Sequence, residues 1–121
     1  MQDHRNLRAF ELADELVLAV YRATRSFPKE ELYGLTSQLR RAAVSVPANI
    51  VEGCARQSRK ELLNFLRIAH GSLREAGYYI DLARRLAYIA QPAARTLTDR
   101  YEECARVLSA LLDTVKRAER G

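Results

Sequence analysis

Apolar residues recur every three or four positions along four stretches of the chain, with polar residues between them. This spacing is the period of an amphipathic α-helix, and no stretch shows the two-residue alternation of a strand. It predicts helices over about residues 7–25, 35–55, 59–89 and 92–117. Because the connections are short, we expect an all-α fold, an antiparallel up-down four-helix bundle, formed by a single domain over residues 1–121.

Helix ends are marked by several local signals. Asn6 is a candidate N-cap for the first helix, and Ser58 with Glu61 has the spacing of a capping box before the third. Pro92 suits the first turn of the fourth helix. Residues 116–121 are polar, so we expect this end to fray.

Pro47 interrupts an otherwise regular second helix. The apolar stripe runs from Leu35 to Cys54 through the proline. Proline lacks the amide that would bond to the carbonyl of Ala43, which favours two shorter helices, whereas the unbroken stripe favours one. We expect one helix that is kinked at Pro47.

Glycines and stray apolar residues suggest where other segments pack. Gly71 and Gly77 each weaken the third helix by about 1 kcal/mol relative to Ala, and helical glycines often mark close packing. Six apolar residues lie off the main stripes and indicate either a subunit interface or ordinary exposure. They are Leu12, Leu18, Leu63, Tyr78, Tyr79 and Val107.

Composition narrows the class of protein. The 121 residues carry 20 Lys and Arg against 15 Asp and Glu, a net charge of +5, and 48% are hydrophobic. These values are those of one ordinary globular domain, and they argue against a disordered chain, a disulfide-stapled miniprotein or a two-domain enzyme. The longest apolar run, residues 16–21, is too short for a membrane span, and no secretory signal opens the chain. We therefore expect a cytoplasmic protein that does not engage a membrane.

Metal, cofactor and catalytic sites have little support. A di-metal carboxylate site in a bundle needs Glu-x-x-His pairs, but Arg67 stands where His70 would need a glutamate, and His4 lies in the N-terminal segment. Cys54 and Cys104 fall on apolar stripes and are predicted to be core thiols. The sequence contains neither a phosphate-binding glycine loop nor a nucleophile motif, so we expect no catalytic residue, no metal and no cofactor.

A polar stripe follows one face of the second helix, and the third helix carries polar residues that match it. The two sets define a predicted polar seam between the helices or between subunits; the alternative is a solvated face with pairs such as Glu52 with Arg56. The stripe comprises Gln38, Arg41, Ser45, Asn49, Glu52 and Arg56, and its partners are Asn64, Ser72 and Glu75. We use "polar seam" for Gln38, Asn49, Glu52, Ser72 and Glu75.

Basic residues concentrate between positions 40 and 60, where the only acid is Glu52. Arginine supplies 17 of the 20 cations and suits bidentate phosphate contacts, which favours binding of RNA or DNA. The alternative is a merely Arg-rich composition, because the sequence has no basic motif interleaved with aromatic residues. The predicted phosphate contacts are Arg40, Arg41, Arg56, Arg59 and Lys60.

Several stretches resemble one family. They read FPKEELYGL at residues 27–35, TSQLRRAAVSVPANIVEGCAR at 36–56, SRKELLNFL at 58–66 and IAHGSLRE at 68–75. Together they resemble the four-helix bundle proteins encoded in intervening sequences of bacterial 23S rRNA genes. The resemblance is dense over residues 7–89 and loose in the fourth helix, and the chain departs from the pattern after Glu75, where Ala76, Gly77, Tyr78 and Tyr79 follow.

The resemblance implies a left-handed up-down bundle that assembles into a homopentameric ring. It also implies likeness in fold to the basic, nucleic-acid-binding accessory proteins of diversity-generating retroelements, and it implies no known reaction. Pro47 belongs to the family pattern, as do most residues of the polar stripe. We expect a non-enzymatic, oligomeric bundle, similar to the 23S rRNA intervening-sequence proteins, that binds RNA or DNA through an arginine-rich surface. The alternative is an oligomeric scaffold that binds a protein partner through apolar ring surfaces.

Overall fold

A computed structural model describes residues 3–120 of the chain. Four helices account for most of it: α1 (Arg8–Thr24), α2 (Leu35–Cys54), α3 (Arg59–Arg85) and α4 (Ala93–Arg120). Short 3-10 turns cover His4–Asn6 and Lys29–Glu31, and residues 3–120 contain no strand. The predicted all-α fold of four helices is confirmed.

Each helix packs on its neighbours along the chain, and α4 closes the ring by packing on α1. The most extensive interface joins α2 to α3. In this interface Ser45 meets Ser72, whereas Gln38, earlier in α2, meets Tyr79, later in α3, so the two helices run antiparallel. The result is an up-down bundle with one hydrophobic core.

The core follows the predicted stripes most closely in α2. All seven stripe residues of that helix are buried, from Leu35 to Cys54. Both thiols lie in the core as predicted, and burial raises the pKa of Cys54 and raises that of Cys104 to about 12. A thiol with so high a pKa is protonated at neutral pH and therefore a poor nucleophile.

α2 continues through Pro47 without a break, so it is one helix rather than two. The proline side chain is buried, and the extensive interface with α3 helps hold the helix together across the missing hydrogen bond. A kink at Pro47 stays a prediction.

The beginning of α1 differs from the prediction. Leu7, not Asn6, occupies the N-cap position, and no side chain caps the helix there. Asn6 instead ends the preceding 3-10 turn, which is capped by Asp3 through a 3.0 Å hydrogen bond from the backbone N–H of Arg5. His4 lies in this turn and packs edge-on against the ring of Phe10, with centroids 4.7 Å apart.

α3 ends at Arg85 rather than near residue 89. Ala87 has a φ of 61°, and the N–H groups of Ala87 and Tyr88 donate to the carbonyls of Arg84 (3.0 Å) and Ala83 (2.9 Å). These two bonds form a Schellman motif, which usually takes glycine at the left-handed position. The early end lets the following Ile89 return to the core.

α4 extends further than predicted and is helical through Arg120. The helix thus passes its predicted end at residue 117, and the expected fraying of residues 116–121 stays a prediction; Gly121 lies outside the described residues. Val115 is buried near this end, and Arg117 and Arg120 lie in the last turn, where cations stabilise a helix by interacting with its dipole.

The two glycines of α3 have different surroundings. A Cβ on Gly77 would lie 2.6 Å from the hydroxyl oxygen of Tyr101 on α4, whereas a Cβ on Gly71 would meet nothing within 4 Å. The close packing expected at a helical glycine is found at Gly77 and is absent at Gly71.

The off-stripe apolar residues divide in a similar way. Leu12 and Leu63 are buried in the core, and Tyr79 and Val107 pack partly buried against it. Leu12 and Leu63 are therefore taken up by the protein's own core, whereas Tyr79 and Val107 keep part of their surface exposed. Leu18 and Tyr78 are exposed.

Candidate functional site

The middle of the polar seam is a hydrogen-bonded bridge between α2 and α3. The hydroxyl oxygens of Ser45 and Ser72 lie 2.8 Å apart, and the side-chain amide of Asn49 donates to the Ser45 carbonyl at 2.7 Å and to its hydroxyl at 3.0 Å. Toward the start of α2, the Tyr79 hydroxyl donates to Gln38 at 3.4 Å. These contacts fix the register of the two helices.

The rest of the seam is solvated. Glu52 forms an ion pair with Arg56 of its own helix, which is the arrangement of the solvated-face alternative. Asn64 and Glu75 are exposed on α3, and neither makes a side-chain hydrogen bond to α2. The structure therefore joins Asn49, Ser72 and Gln38 to the interface and leaves Glu52 and Glu75 at its surface.

Above the bridge lies a groove of about 410 Å³, which we call the α2–α3 groove. Its polar lining consists of Tyr33, Ser37, Gln38, Arg41, Ser45, Ser72 and Glu75. Burial, and then the charge of Glu75, raise the pKa of the Tyr79 phenol, whose hydroxyl lies 3.4 Å from the side-chain oxygen of Gln38. The sequence pattern did not indicate Tyr33, because this residue precedes α2 and carries no helical periodicity.

Arg40 is held inside the protein's own structure. Its Nε donates to the Thr24 hydroxyl at 2.8 Å, and its guanidinium lies 4.7 Å from the centroid of the Tyr21 ring. Thr24 is buried and donates in turn to the carbonyl of Val20 at 2.8 Å. Arg40 thus fastens α2 to the end of α1, unlike the exposed Arg41.

The other three predicted phosphate contacts surround the turn between α2 and α3. Arg56 stacks over the ring of Phe65 at 5.0 Å, Arg59 donates to the carbonyl of Ala118 at 3.5 Å, and Lys60 is exposed. Gly53 makes room for Phe65, because a Cβ there would lie 2.9 Å from that of Phe65.

The contact between Arg59 and Ala118 brings the end of α4 to this turn. Its cations join those of the turn in a cluster that the sequence pattern did not indicate, because the two groups are almost 60 positions apart. We call it the basic end: Arg56, Arg59, Lys60, Lys116, Arg117 and Arg120. Four acids of the same segments, Glu52, Glu61, Asp113 and Glu119, reduce its positive charge.

Few of these cations are neutralised by a direct partner. Among residues 3–120, the arginines in ion pairs are Arg5, Arg8, Arg56, Arg84 and Arg85. Arg56 is the one member of the basic end in that group. The start of α3, capped by Ser58, adds the partial positive charge of a helix N-terminus.

The remaining candidates serve packing. His70 is half-buried, and its Nε2 lies 3.3 Å from the Ser109 hydroxyl of α4. Over the described part of the chain, no three His, Cys, Asp or Glu residues are grouped so that they could hold a metal ion. None of its helices is long and apolar enough to cross a membrane.

Fold and site together define a small up-down four-helix bundle with an arginine-rich end. The family model of the 23S rRNA-intervening sequence protein matches residues 5–110. The chain therefore belongs to the 23S rRNA-intervening sequence protein family, and the resemblance found in the sequence is confirmed.

A solved structure shows the same fold. It is a protein of unknown function from the S23 ribosomal protein family of Bacteroides thetaiotaomicron VPI-5482, with a TM-score of 0.79 and 23% identity. The match covers 87% of this chain and 95% of that one. No curated protein sequence matches the chain. Neither the family nor the solved relative is named for an enzymatic activity.

Proposed function

We propose that this protein is a non-enzymatic, oligomeric bundle that binds RNA or DNA through its basic end. The observation that carries the proposal is the convergence of cations from two separate segments, with Arg59 beside Ala118. Among residues 3–120, the five cations of the basic end other than Arg56 have no ion-pair partner, and such side chains are suited to phosphate contacts. Arg41, which is also exposed, is a separate proposed phosphate contact about 22 Å from Arg56 along α2, whereas Arg40 holds α2 to the end of α1.

The test is a salt titration of binding to a labelled RNA. Because phosphate contacts release counterions, we expect affinity to fall steeply as salt rises. Replacing Arg56 and Arg59 by Ala is expected to weaken binding similarly for different sequences and to reduce the salt slope by about 2. The control is the double variant Arg22→Ala/Arg95→Ala, which removes the same charge at the opposite end of the bundle.

Two results would contradict this assignment. Absence of binding to RNA and DNA at low salt would refute the proposed function. Equal losses in the two double variants would mean that only overall charge matters and would remove the basic end from the proposal.

The oligomeric part of the proposal is supported by exposed apolar side chains that this chain leaves uncovered. Leu18, Val44, Val51, Ile68 and Tyr78 are each more than one third exposed. Light scattering after size exclusion tests it directly: with a chain mass of 13.8 kDa, a pentamer has five times that mass, and a monomer would contradict the proposal.

A scaffold for a protein partner is the second candidate, and the same apolar side chains favour it. Apolar contacts survive high salt, whereas a phosphate interface does not. A stable oligomer that ignores RNA at every salt concentration would favour the scaffold.

The proposal also includes the absence of a reaction and a cytoplasmic location. Both thiols are buried and unpaired in the core, as suits a reducing compartment. Labelled RNA is expected to stay intact after long incubation with the pure protein, and its turnover would overturn the non-enzymatic assignment.

A further inference from the structure

Tyr33 is an aromatic side chain placed beside a polar groove with nothing covering it. It is 93% exposed, more than any other large apolar or aromatic residue of the described chain. It nevertheless lines the α2–α3 groove together with Gln38 and Arg41. An aromatic face in this position offers a stacking surface to a planar ligand.

The floor of the groove is fixed. Ser45 and Ser72 are hydrogen-bonded to each other, and Asn49 holds Ser45 from below. The Tyr79 hydroxyl lies 3.4 Å from the side-chain oxygen of Gln38, which is exposed. A ligand would meet a preorganised polar surface.

The groove carries one positive and one negative side chain, and Glu75 also lies close enough to Tyr79 to act on its phenol. Arg41 and Glu75 both line it, and among residues 3–120 neither forms an ion pair. A guanidinium donates to phosphate oxygens, whereas a carboxylate accepts hydrogen bonds only. One ligand that satisfies both is a nucleotide whose base presents adjacent N–H donors.

We infer that the α2–α3 groove holds an unpaired guanine of a single-stranded nucleic acid, stacked on Tyr33, with its N–H edge toward Glu75 and a flanking phosphate at Arg41. This inference rests on the proposed function and specifies its ligand. Guanine fits because its Watson–Crick edge carries an imino and an amino donor side by side. Single strands are recognised in this manner, by stacking on aromatic residues and by contacts to base edges.

The sequence has no basic motif interleaved with aromatic residues, yet the groove places an aromatic stacking surface beside a phosphate contact. Tyr33 precedes α2, Arg41 lies within it and Glu75 lies on α3, so only the fold brings the three together. Arg41 is also one of the phosphate contacts of the proposed function, at a separate position from the basic end.

The test compares labelled 12-nucleotide strands of uridine, with or without two central guanines, and a duplex of the same length. We expect the native protein to bind the guanine strand about tenfold more tightly than the uridine strand. Tyr33→Ala is expected to weaken guanine-strand binding about tenfold and leave duplex binding unchanged, while Tyr33→Phe retains it. Glu75→Gln is expected to abolish most of the preference for guanine.

A control variant and a spectroscopic measurement check that the effect of Tyr33→Ala is specific to stacking in the groove. Leu32→Ala removes an exposed apolar side chain next to Tyr33 but outside the groove and is expected to bind like the native protein. The chain contains no tryptophan, so quenching of its six tyrosines reports stacking directly, and part of the quenching should vanish in Tyr33→Ala.

The outcomes distinguish this inference from the proposed function. No binding to any strand or duplex refutes both. Strong binding that is equal for guanine and uridine strands, or that is indifferent to Tyr33→Ala, refutes the inference alone and leaves the basic end as the binding surface.

Discussion

α3 packs on α2 and on α4 by different means. Toward α2 it offers Ser72, which joins the bridge with Ser45 and Asn49. Toward α4 it offers Gly77, whose missing side chain admits the ring of Tyr101. At these two points the contact with α2 is a directional hydrogen bond, whereas the contact with α4 is a steric fit. Elsewhere α3 also reaches α4 through His70 and Arg59.

This difference determines how each interface responds to change. A hydrogen bond contributes about 1 kcal/mol, and the loss of one partner leaves the other partly unsatisfied. At a close-packed contact, an added methyl group forces the neighbouring side chain away from its preferred conformation, which lowers stability. Four substitutions test the contrast, beginning with the largest expected effect.

Gly77→Ala is expected to destabilise the protein by about 2 kcal/mol, because the new methyl group would collide with Tyr101 and outweigh the gain in helix propensity. Urea unfolding followed by circular dichroism measures the change. Unaltered or increased stability would mean that Tyr101 rotates away freely and that shape does not specify the α3–α4 interface.

Ser45→Ala is expected to cost about 1 kcal/mol, because Ser72 and Asn49 each lose a partner across or beside the interface. Ser72→Ala should lower the free energy of unfolding less in the Ser45→Ala variant than in the native protein, because the bond that the two hydroxyls share is already gone. Strict additivity in this double-mutant cycle would show that the two hydroxyls do not act together.

Gly71→Ala is expected to stabilise the fold by somewhat less than 1 kcal/mol. The position is open, so the change keeps the gain in helix propensity without a collision. It is the matched control for Gly77→Ala within the same helix. A loss of stability at low protein concentration would contradict the open surroundings of Gly71.

Glu31, in the turn before α2, is expected to make the stability of the protein depend on pH. Its carboxylate accepts a 3.0 Å bond from the N–H of Leu35 and a 2.9 Å bond from the Tyr88 hydroxyl, and the first and then the second lower its pKa. Since the folded pKa lies below the ordinary value of 4.5, this contribution is present above that value and is lost as the pH falls.

Glu31→Gln is therefore expected to lower stability slightly at about pH 7 and to have a smaller effect at about pH 3. Urea midpoints at the two pH values measure the difference, and Glu30→Gln is the matched control. The effect is the smallest of the four because the group is accessible to solvent. A difference that grows toward acid pH would contradict it.

The sequence predicted the elements better than their edges. In α2 the stripe named every hydrophobic core residue from Leu35 to Cys54, since one face of that helix is buried along its length. In α1 it missed Leu12, which is buried although it lies off the main stripe. The end of α3 depends on Ala87 in a left-handed conformation, for which the residue type gives no warning.

The candidate site was predicted in part for the same reason. Residues spaced along one helix, such as Ser45 and Asn49, are visible in the periodicity. Groups that meet only through tertiary packing are not: Tyr33 beside Arg41, and the end of α4 beside Arg59. Local spacing thus revealed the interface between helices, and the fold was needed to reveal the surfaces open to a partner.

The ring of four helices also bears on how the chain folds. Three of the four helix interfaces join segments adjacent along the chain, and only the contact of α1 with α4 connects distant parts of residues 3–120. Chains dominated by such local contacts have low contact order and fold within about microseconds to milliseconds. We therefore expect the three hairpins to form rapidly and the docking of α1 on α4 to complete the native state.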